Sequence, residues 1–416
     1  MSLDLSTPAI RAEADAAPWQ LPERYWPALS HATASASAPA LTLGLGALAA
    51  NANDLVARAG GLPIRVASKS IRSRPVIEAL LRLPGTRGVL AYSLSEAVWL
   101  SETIEDIVVA YPSVDRAGYR ALVADERALA RVSVMIDDPA QLDLIDALVP
   151  VRGRGEIRVC LDFDASWQAP VLGHLGVRRS PIRTADALHA LAVRVAARPG
   201  FRLVGIMSYE AQIAGVGDQT AGKPLDSATK RWMQRSSHRE LTARRGEAIA
   251  RVKSVAELEF VNGGGTGSIE RTAQDRSITD IAAGSGFFGP HLFDHYRSFT
   301  PAPALAFALD VVRRPTPDTA TLLGGGWVAS GPPGADRLPL PVWPAGLRYL
   351  PREAAGEVQT PVTGAAASTL RPGDRVWMRH TKSGEPCEHA NTLLAVLDGE
   401  VVEELPTYRG EGKRFL

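Results

Sequence analysis

Lys69 lies in the stretch Ala67-Ser68-Lys69-Ser70, directly after the strand-like run 63–67. An amine at the top of an apolar strand is desolvated, loses proton affinity and becomes a usable nucleophile toward aldehydes. The competing reading is a lysine whose stem packs while its ammonium reaches solvent. Further on, Asn262-Gly263-Gly264-Gly265-Thr266-Gly267-Ser268 offers flexible backbone N–H groups ahead of a short helix near residues 268–270. That is the chemistry of an anion cradle. The GK[ST] ending of a Walker loop is absent, and a glycine-rich turn of no chemical use is the alternative. Gly284-Ser285-Gly286 is a second small-residue turn of the same kind. His380, Glu385, Cys387, Glu388 and His389 fall within ten residues. The assortment suits a borderline divalent cation, although its spacing matches no standard zinc signature and surface chemistry is the alternative. Gly44-x-Gly46-x-x-Ala49 imitates a dinucleotide fingerprint. About twenty residues later Val66 stands where an acid is wanted, so this string reads as helix packing.

These residues need elements to hold them. Between about residues 41 and 288, short β-branched runs alternate with longer amphipathic stretches. Eight strands are expected at 63–67, 88–92, 106–110, 132–136, 157–162, 202–206, 258–261 and 280–283. Helical segments lie between them, among them 75–83, 94–102, 139–148, 185–197 and 239–253. Eight strand–helix repeats suggest a closed (β/α)8 barrel over residues 41–298, an α/β fold whose reactive groups gather at the C-terminal strand ends. In that scheme Lys69 follows the first strand, Tyr209 the sixth, the 263–268 loop the seventh and Gly284-Ser285-Gly286 the eighth. Barrels often bind phosphate after strands seven and eight, which favours the cradle reading. Residues 299–416 change texture to proline, glycine and short strand-like runs, a smaller β-rich C-terminal domain. Residues 1–40 carry Trp19, Tyr25 and Trp26, which favours a segment packed on that β-rich domain over a disordered tail.

The length of 416 residues suits one large domain plus a smaller one. Hydrophobic residues at 45% and charged residues at 22% are ordinary globular usage, which argues against disorder, collagen-like repeats and long coiled coils. Forty-six Lys and Arg against forty-five Asp and Glu leave a charge of +1, no footprint for nucleic acid or an anionic membrane. The partner is expected to be a small molecule. Cys160 and Cys387 form no paired framework. With no signal-like apolar stretch or membrane span, a cytoplasmic protein without a disulfide is expected.

Taken in order, RVASKSIRS, GVLAYSLSEAVWL, GIMSYEAQIAG, VNGGGTGS, AAGSGFFGPHLFDHY, GEVQTP and GDRVWMRHTKSGE resemble the alanine racemase fold of pyridoxal-phosphate enzymes. The likeness is closest to its branch of D-threonine aldolases and D-serine dehydratases, and runs from about residue 55 to the C-terminus. The resemblance implies that Lys69 holds pyridoxal phosphate covalently. It also implies that Asn262, Gly264, Gly265, Thr266, Ser285 and Gly286 bind the cofactor, and that Tyr209 sits near the ring or the substrate. It implies a divalent metal ion (Mn, Mg or Zn), for which His389, as His389-Ala390-Asn391, is the first candidate ligand and His380 and Cys387 the fallback. Aldolases of this branch carry a histidine shortly after the strand-six tyrosine, whereas this chain reads Tyr209-Glu210-Ala211-Gln212-Ile213. A homodimer is implied as well, one subunit's β-rich domain closing the other's barrel mouth.

The function so implied is a lyase that cleaves β-hydroxy D-amino acids in retro-aldol fashion to glycine and an aldehyde. β-Elimination of water with release of ammonia is the nearest alternative. Racemisation and a non-catalytic cofactor carrier are the others, and the trailing β-rich domain is the feature such carriers lack.

Overall fold

The computed structural model describes residues 3–416. Among them, eight parallel strands close into a barrel. They are β1 (Ile64–Ala67), β2 (Thr86–Ala91), β3 (Ile107–Pro112), β4 (Val132–Ile136), β5 (Ile157–Asp162), β6 (Phe201–Ser208), β7 (Phe260–Gly263) and β8 (Asp280–Ala283). Each pairs with the next in sequence, and β8 returns to β1 through Ile281 opposite Ile64. All eight overlap the expected runs.

The outer helices start where their sequences supply caps. Ser93 accepts from the Glu96 amide ahead of Leu94–Leu100, and Thr184 from the Ala187 amide ahead of Ala185–Ala196. Asp138 forms a capping box with Gln141 ahead of Pro139–Leu148. Each satisfies N–H groups that a helix start leaves unpaired. The helix expected at 239–253 is part of a longer one, Pro224–Val252, whose polar first half carries little apolar periodicity to mark it.

Inside the barrel, Val108, Met135, Cys160, Val204, Met207 and Phe260 form one apolar cluster. Gly205 is there because a Cβ at that position would lie 2.3 Å from the Phe260 ring. Arg65, on β1, is fully buried and pairs with Asp280 and Asp106 at 2.8 Å each. Asp280 also accepts from the Asn262 side-chain amide, which ties this charge cluster to the end of β7. Both cysteines are buried and free.

The second region is a nine-stranded sheet among the described residues. Its centre is Leu305–Thr316, flanked by Thr319–Leu323, Arg375–Arg379 and, unexpectedly, Ala40–Gly44. Ala40–Gly44 runs antiparallel to Leu305–Thr316, with Leu43 opposite Leu305, and parallel to Thr392–Leu397, with Thr42 opposite Leu394. The barrel boundary expected at residue 41 is therefore corrected: residues 40–44 belong to the β-rich sheet, and the barrel strands begin at Ile64. The apolar run ALTLG looks like a barrel strand because its partners are some 260 residues or more away and leave no local sign.

Before that strand, Tyr25, Trp26 and Leu29 pack against Ala306, Ala308, Trp377 and Leu394 of the sheet. The Trp26 and Trp377 rings stand 5.8 Å apart, and Trp377 Nε1 donates to Ser30 Oγ at 2.8 Å. Residues 1 and 2 of the segment expected to pack here lie outside the described residues. No described helix is long and apolar enough to cross a membrane.

Candidate active site

The C-terminal ends of the barrel strands and the turn after Arg375–Arg379 enclose a cavity of about 840 Å³. Lys69, Tyr209, Asn262, Gly264, Gly265, Thr266 and Ser285 all line it. Gly286 stands one layer behind, its amide donating to Thr266 Oγ1 at 3.1 Å. Lys69 sits in a single helical turn, Ser68–Ser70, that caps β1, and its side chain is exposed into the cavity. The expected apolar burial of this amine is not met. Its Nζ instead faces Tyr111 Oη at 3.4 Å.

The loop after β7 is shaped by a buried carboxylate. Glu210 Oε2 accepts from the Gly264 amide at 3.0 Å and faces Arg245 at 3.4 Å, while Oε1 accepts from the Thr272 and Ser268 hydroxyls. Gly264 takes φ +77°, a conformation that favours glycine, and a Cβ on Gly265 would lie 3.0 Å from the Tyr209 ring. Opposite, Ser70 Oγ and Ser285 Oγ are 3.0 Å apart. A Cβ on Gly284 would lie 2.8 Å from the Ala67 carbonyl, so β8 closes on β1 only with glycine there.

Among the described residues, the Thr266 and Ser285 amides donate to no protein acceptor. Two cavity-lining N–H groups without partners, flanked by serine hydroxyls, make a donor set for a phosphate. A phosphate-bearing aldehyde fits this donor set: its anion would meet the cradle, and Lys69 would supply the amine.

Tyr209 forms the wall between the cradle and Arg179, whose guanidinium lies 4.7 Å from the Tyr111 ring centre and 5.8 Å from that of Tyr209. Enclosure pushes the Tyr209 phenol up to about 12, and the Glu210 charge adds to this. Arg179 is held by Asp162 Oδ2 at 2.9 Å and by the Ala110 carbonyl. Burial pushes Asp162 up to about 6 against the pull of Arg179.

The metal ligands expected from sequence do not come together. Burial pushes His380 down to about 3, with the Arg379 charge adding, so its ring is neutral. Its Nδ1 lies 3.0 Å from the Leu305 carbonyl, which only accepts, so Nδ1 carries the proton. Its Nε2 lone pair is turned to Ser383 Oγ at 2.8 Å. Cys387 donates its thiol to the Ile71 carbonyl at 3.3 Å, and burial pushes it up to about 12. His389 is exposed and stacks on Trp327, ring centres 5.0 Å apart. Among the described residues, no group of three or more His, Cys, Asp or Glu side chains is arranged to hold an ion. Closeness in sequence set these groups side by side, but the turn sends each toward a different neighbour. His380, Cys387 and His389 thus do not form a donor set for a divalent metal.

Sequence reasoning passed over Tyr111, Arg179, Glu210 and Lys382. Tyr111 and Glu210 stood at strand ends already marked as reactive, a signal that was available. Arg179 and Lys382 stand in polar loops, where a basic residue reads as solvated.

A lysine on the first strand and an anion cradle after the seventh and eighth define a (β/α)8 barrel built to hold a small anionic molecule at its mouth. Residues 43–284, more than half of the chain, match the family model for the N-terminal domain of alanine racemase, and the chain belongs to that family. It is 27% identical over 253 residues to a 3-hydroxy-D-aspartate aldolase of Paracoccus denitrificans; that match spans 60% of each chain. Its fold is similar to the crystal structure of D-threonine aldolase from Filomicrobium marinum, with a TM-score of 0.73 at 21% identity over 91% of this chain and 96% of that one. It is also similar to D-threo-3-hydroxyaspartate dehydratase from Delftia sp. HT23, with a TM-score of 0.69 at 16% identity over 90% of this chain and 98% of that one.

Proposed function

We propose that this chain is a pyridoxal-phosphate-dependent lyase that cleaves β-hydroxy D-amino acids to glycine and an aldehyde. The observation that carries the reading is Lys69 opening into a cavity that an amide cradle without protein acceptors also lines. Family membership and the activities of the similar proteins support it.

Lys69 would hold the cofactor, with the Thr266 and Ser285 amides and the Ser70 and Ser285 hydroxyls at its phosphate. When bound, pyridoxal phosphate supplies an electron sink for a bond at the amine-bearing carbon. Tyr111 Oη is placed to exchange a proton with Lys69 Nζ. The Tyr209 phenol stays protonated at neutral pH and is available as a donor to the cavity. Asn262 fixes the floor by donating to Asp280, which pairs with Arg65 at 2.8 Å.

β-Elimination of water from the same substrates is the second reading. It is favoured by one feature: Glu210, which follows Tyr209, is spent on Gly264, Thr272 and Arg245 and offers no base to a β-hydroxyl. The purified holoprotein is expected to carry a yellow absorbance band, and borohydride is expected to fix the cofactor on Lys69. Incubation with D-threonine, D-phenylserine and D-serine separates the readings. Glycine with an aldehyde supports cleavage, 2-oxo acid with ammonia supports elimination, and none of these products defeats both. Lys69→Ala is expected to remove turnover by about a thousandfold or more, the scale of losing a covalent participant.

A further inference from the structure

Six Lys and Arg side chains line the cavity, and four of them are already paired. Arg72 meets Glu388 at 2.6 Å, Arg179 meets Asp162 at 2.9 Å, Lys230 meets Asp226 at 2.7 Å and Arg337 meets Asp336 at 3.3 Å. Among the described residues, Lys69 and Lys382 are the two that make no ion pair. Lys69 has its role in the proposed chemistry. Lys382 is left with a 3.4 Å contact to Ser330 Oγ, while Glu385, the nearest acid in sequence, is turned to the Ser330 amide and hydroxyl.

The turn that carries Lys382 is fastened on both sides. Before it, Thr381 Oγ1 donates to the Leu338 carbonyl at 2.8 Å, and His380 is anchored to the Leu305 carbonyl. After it, Ser383 Oγ lies 2.8 Å from His380 Nε2 and 3.2 Å from the Ser285 carbonyl, two acceptors for one proton. Gly384, at φ +87°, lies so close to the nucleophile's own turn that a Cβ there would stand 2.0 Å from the Lys69 carbonyl. The β-rich region thus presses Lys382 onto the same rim as Lys69. Partial burial lowers the proton affinity of its ammonium; Glu385 opposes this, and Arg337 and Lys69 add to it.

We propose that Lys382 is the carboxylate-binding residue of this site, its ammonium holding the anionic end of the amino acid while the amine end meets Lys69. The assignment rests on the functional reading above and deepens it. A cation without a partner, on the same rim as a second cation, is stabilised by an anionic ligand, and a charge-assisted hydrogen bond to carboxylate is the strong form of that contact. His380, Thr381, Ser383 and Gly384 are positioning residues for it.

The test is calorimetric titration of the holoprotein with three probes: D-2-aminobutyrate, which has amine and carboxylate but no hydroxyl to react; acetate, which has only the carboxylate; and propylamine, which has only the amine. Lys382→Gln is expected to weaken D-2-aminobutyrate and acetate by about tenfold or more and to leave propylamine unchanged, and Lys382→Arg is expected to restore most of the loss. Unchanged acetate and D-2-aminobutyrate affinity in the Gln variant overturns the assignment. So does equal weakening of propylamine, which would mark general damage to the site, and so does wild-type protein that binds neither carboxylate. Acetate binding that depends on Lys382, with no binding of the D-amino acid, would uphold the anion site and defeat the D-amino-acid reading instead.

Discussion

Glu210 shows how much of this site is carried by a residue that touches no reacting atom. Its carboxylate is buried beside fully buried Arg245 and is spent on the Gly264 amide and two hydroxyls. Glu210→Ala leaves Arg245 with Asp275 as its one carboxylate partner and frees the glycine loop, so unfolding free energy is expected to fall by about 3–5 kcal/mol. Cofactor retention through gel filtration is expected to fall with it. Chemical denaturation measures the first and absorbance the second; an Ala variant of wild-type stability would show the network to be dispensable. At the same scale, His380, Cys387 and His389 are committed to Ser383, Ile71 and Trp327. Prolonged dialysis against EDTA is therefore expected to change turnover by less than about twofold, where loss of an essential ion would abolish polarisation of the substrate oxygen. A large loss restored by Mn, Mg or Zn would overturn this. The nucleophile and the cradle were legible because strand ends of a barrel are where such groups collect. Lys382 was not, since a lysine between threonine and serine shows its missing partner only once the other cations are seen to be paired.

At the scale of elements, the joint between barrel and β-rich region carries a titratable group. Glu96, in helix Leu94–Leu100, accepts from the Tyr92 amide at 2.7 Å and from the Tyr408 hydroxyl at 2.8 Å. Tyr408 follows the last strand, Glu400–Pro406, and donates its amide to the Arg72 carbonyl. Burial pushes Glu96 up to about 7 from an ordinary 4.5, its hydrogen bonds opposing. The folded state therefore prefers the protonated acid. The stability this group contributes is complete below its unfolded value and is lost as pH rises through about 7, with a slope of at most about 1.4 kcal/mol per unit. Asp162, pushed up to about 6, acts with the same sign at lower pH. Urea unfolding of wild type is thus expected to weaken from about pH 5 to 7 and to level off above that, and Glu96→Gln to be flatter over that window. An equally steep variant would place the titration elsewhere. The eight barrel strands were readable in the sequence because buried parallel strands are short apolar runs between amphipathic stretches. Ala40–Gly44 shares that texture, and only its long-range partners distinguish it.

For the whole molecule, the cavity wall that carries Ser330, Arg337, Lys382 and Glu385 belongs to the same chain as the barrel. A partner's β-rich domain, which the resemblance has closing this barrel mouth, is thus not needed to supply that wall. We still propose a homodimer. Val171, Leu172 and Leu225 stand exposed on two segments linked by the contact of Trp167 with Trp232 at 5.9 Å, and exposed apolar side chains suit a subunit contact. Sedimentation velocity is expected to give one species of twice the chain mass, and Val171→Asp with Leu225→Asp to shift it toward the monomer. A wild-type monomer would refute the proposal.

Because Leu43 is registered with Leu305 and Thr42 with Leu394, the chain enters the β-rich sheet, leaves to build the whole barrel, and then comes back. During synthesis, the strand at 40–44 leaves the ribosome with roughly 260 residues still to come before its antiparallel neighbour exists, at about 5–20 residues per second a wait of more than ten seconds. Over that interval its edge is unpaired, and an apolar edge of this kind recruits other chains. The barrel, by contrast, has every strand in hand once Ala283 is made. Yield from a cell is thus expected to depend on whether holdase chaperones cover the first sixty residues, rather than on the barrel that carries the chemistry.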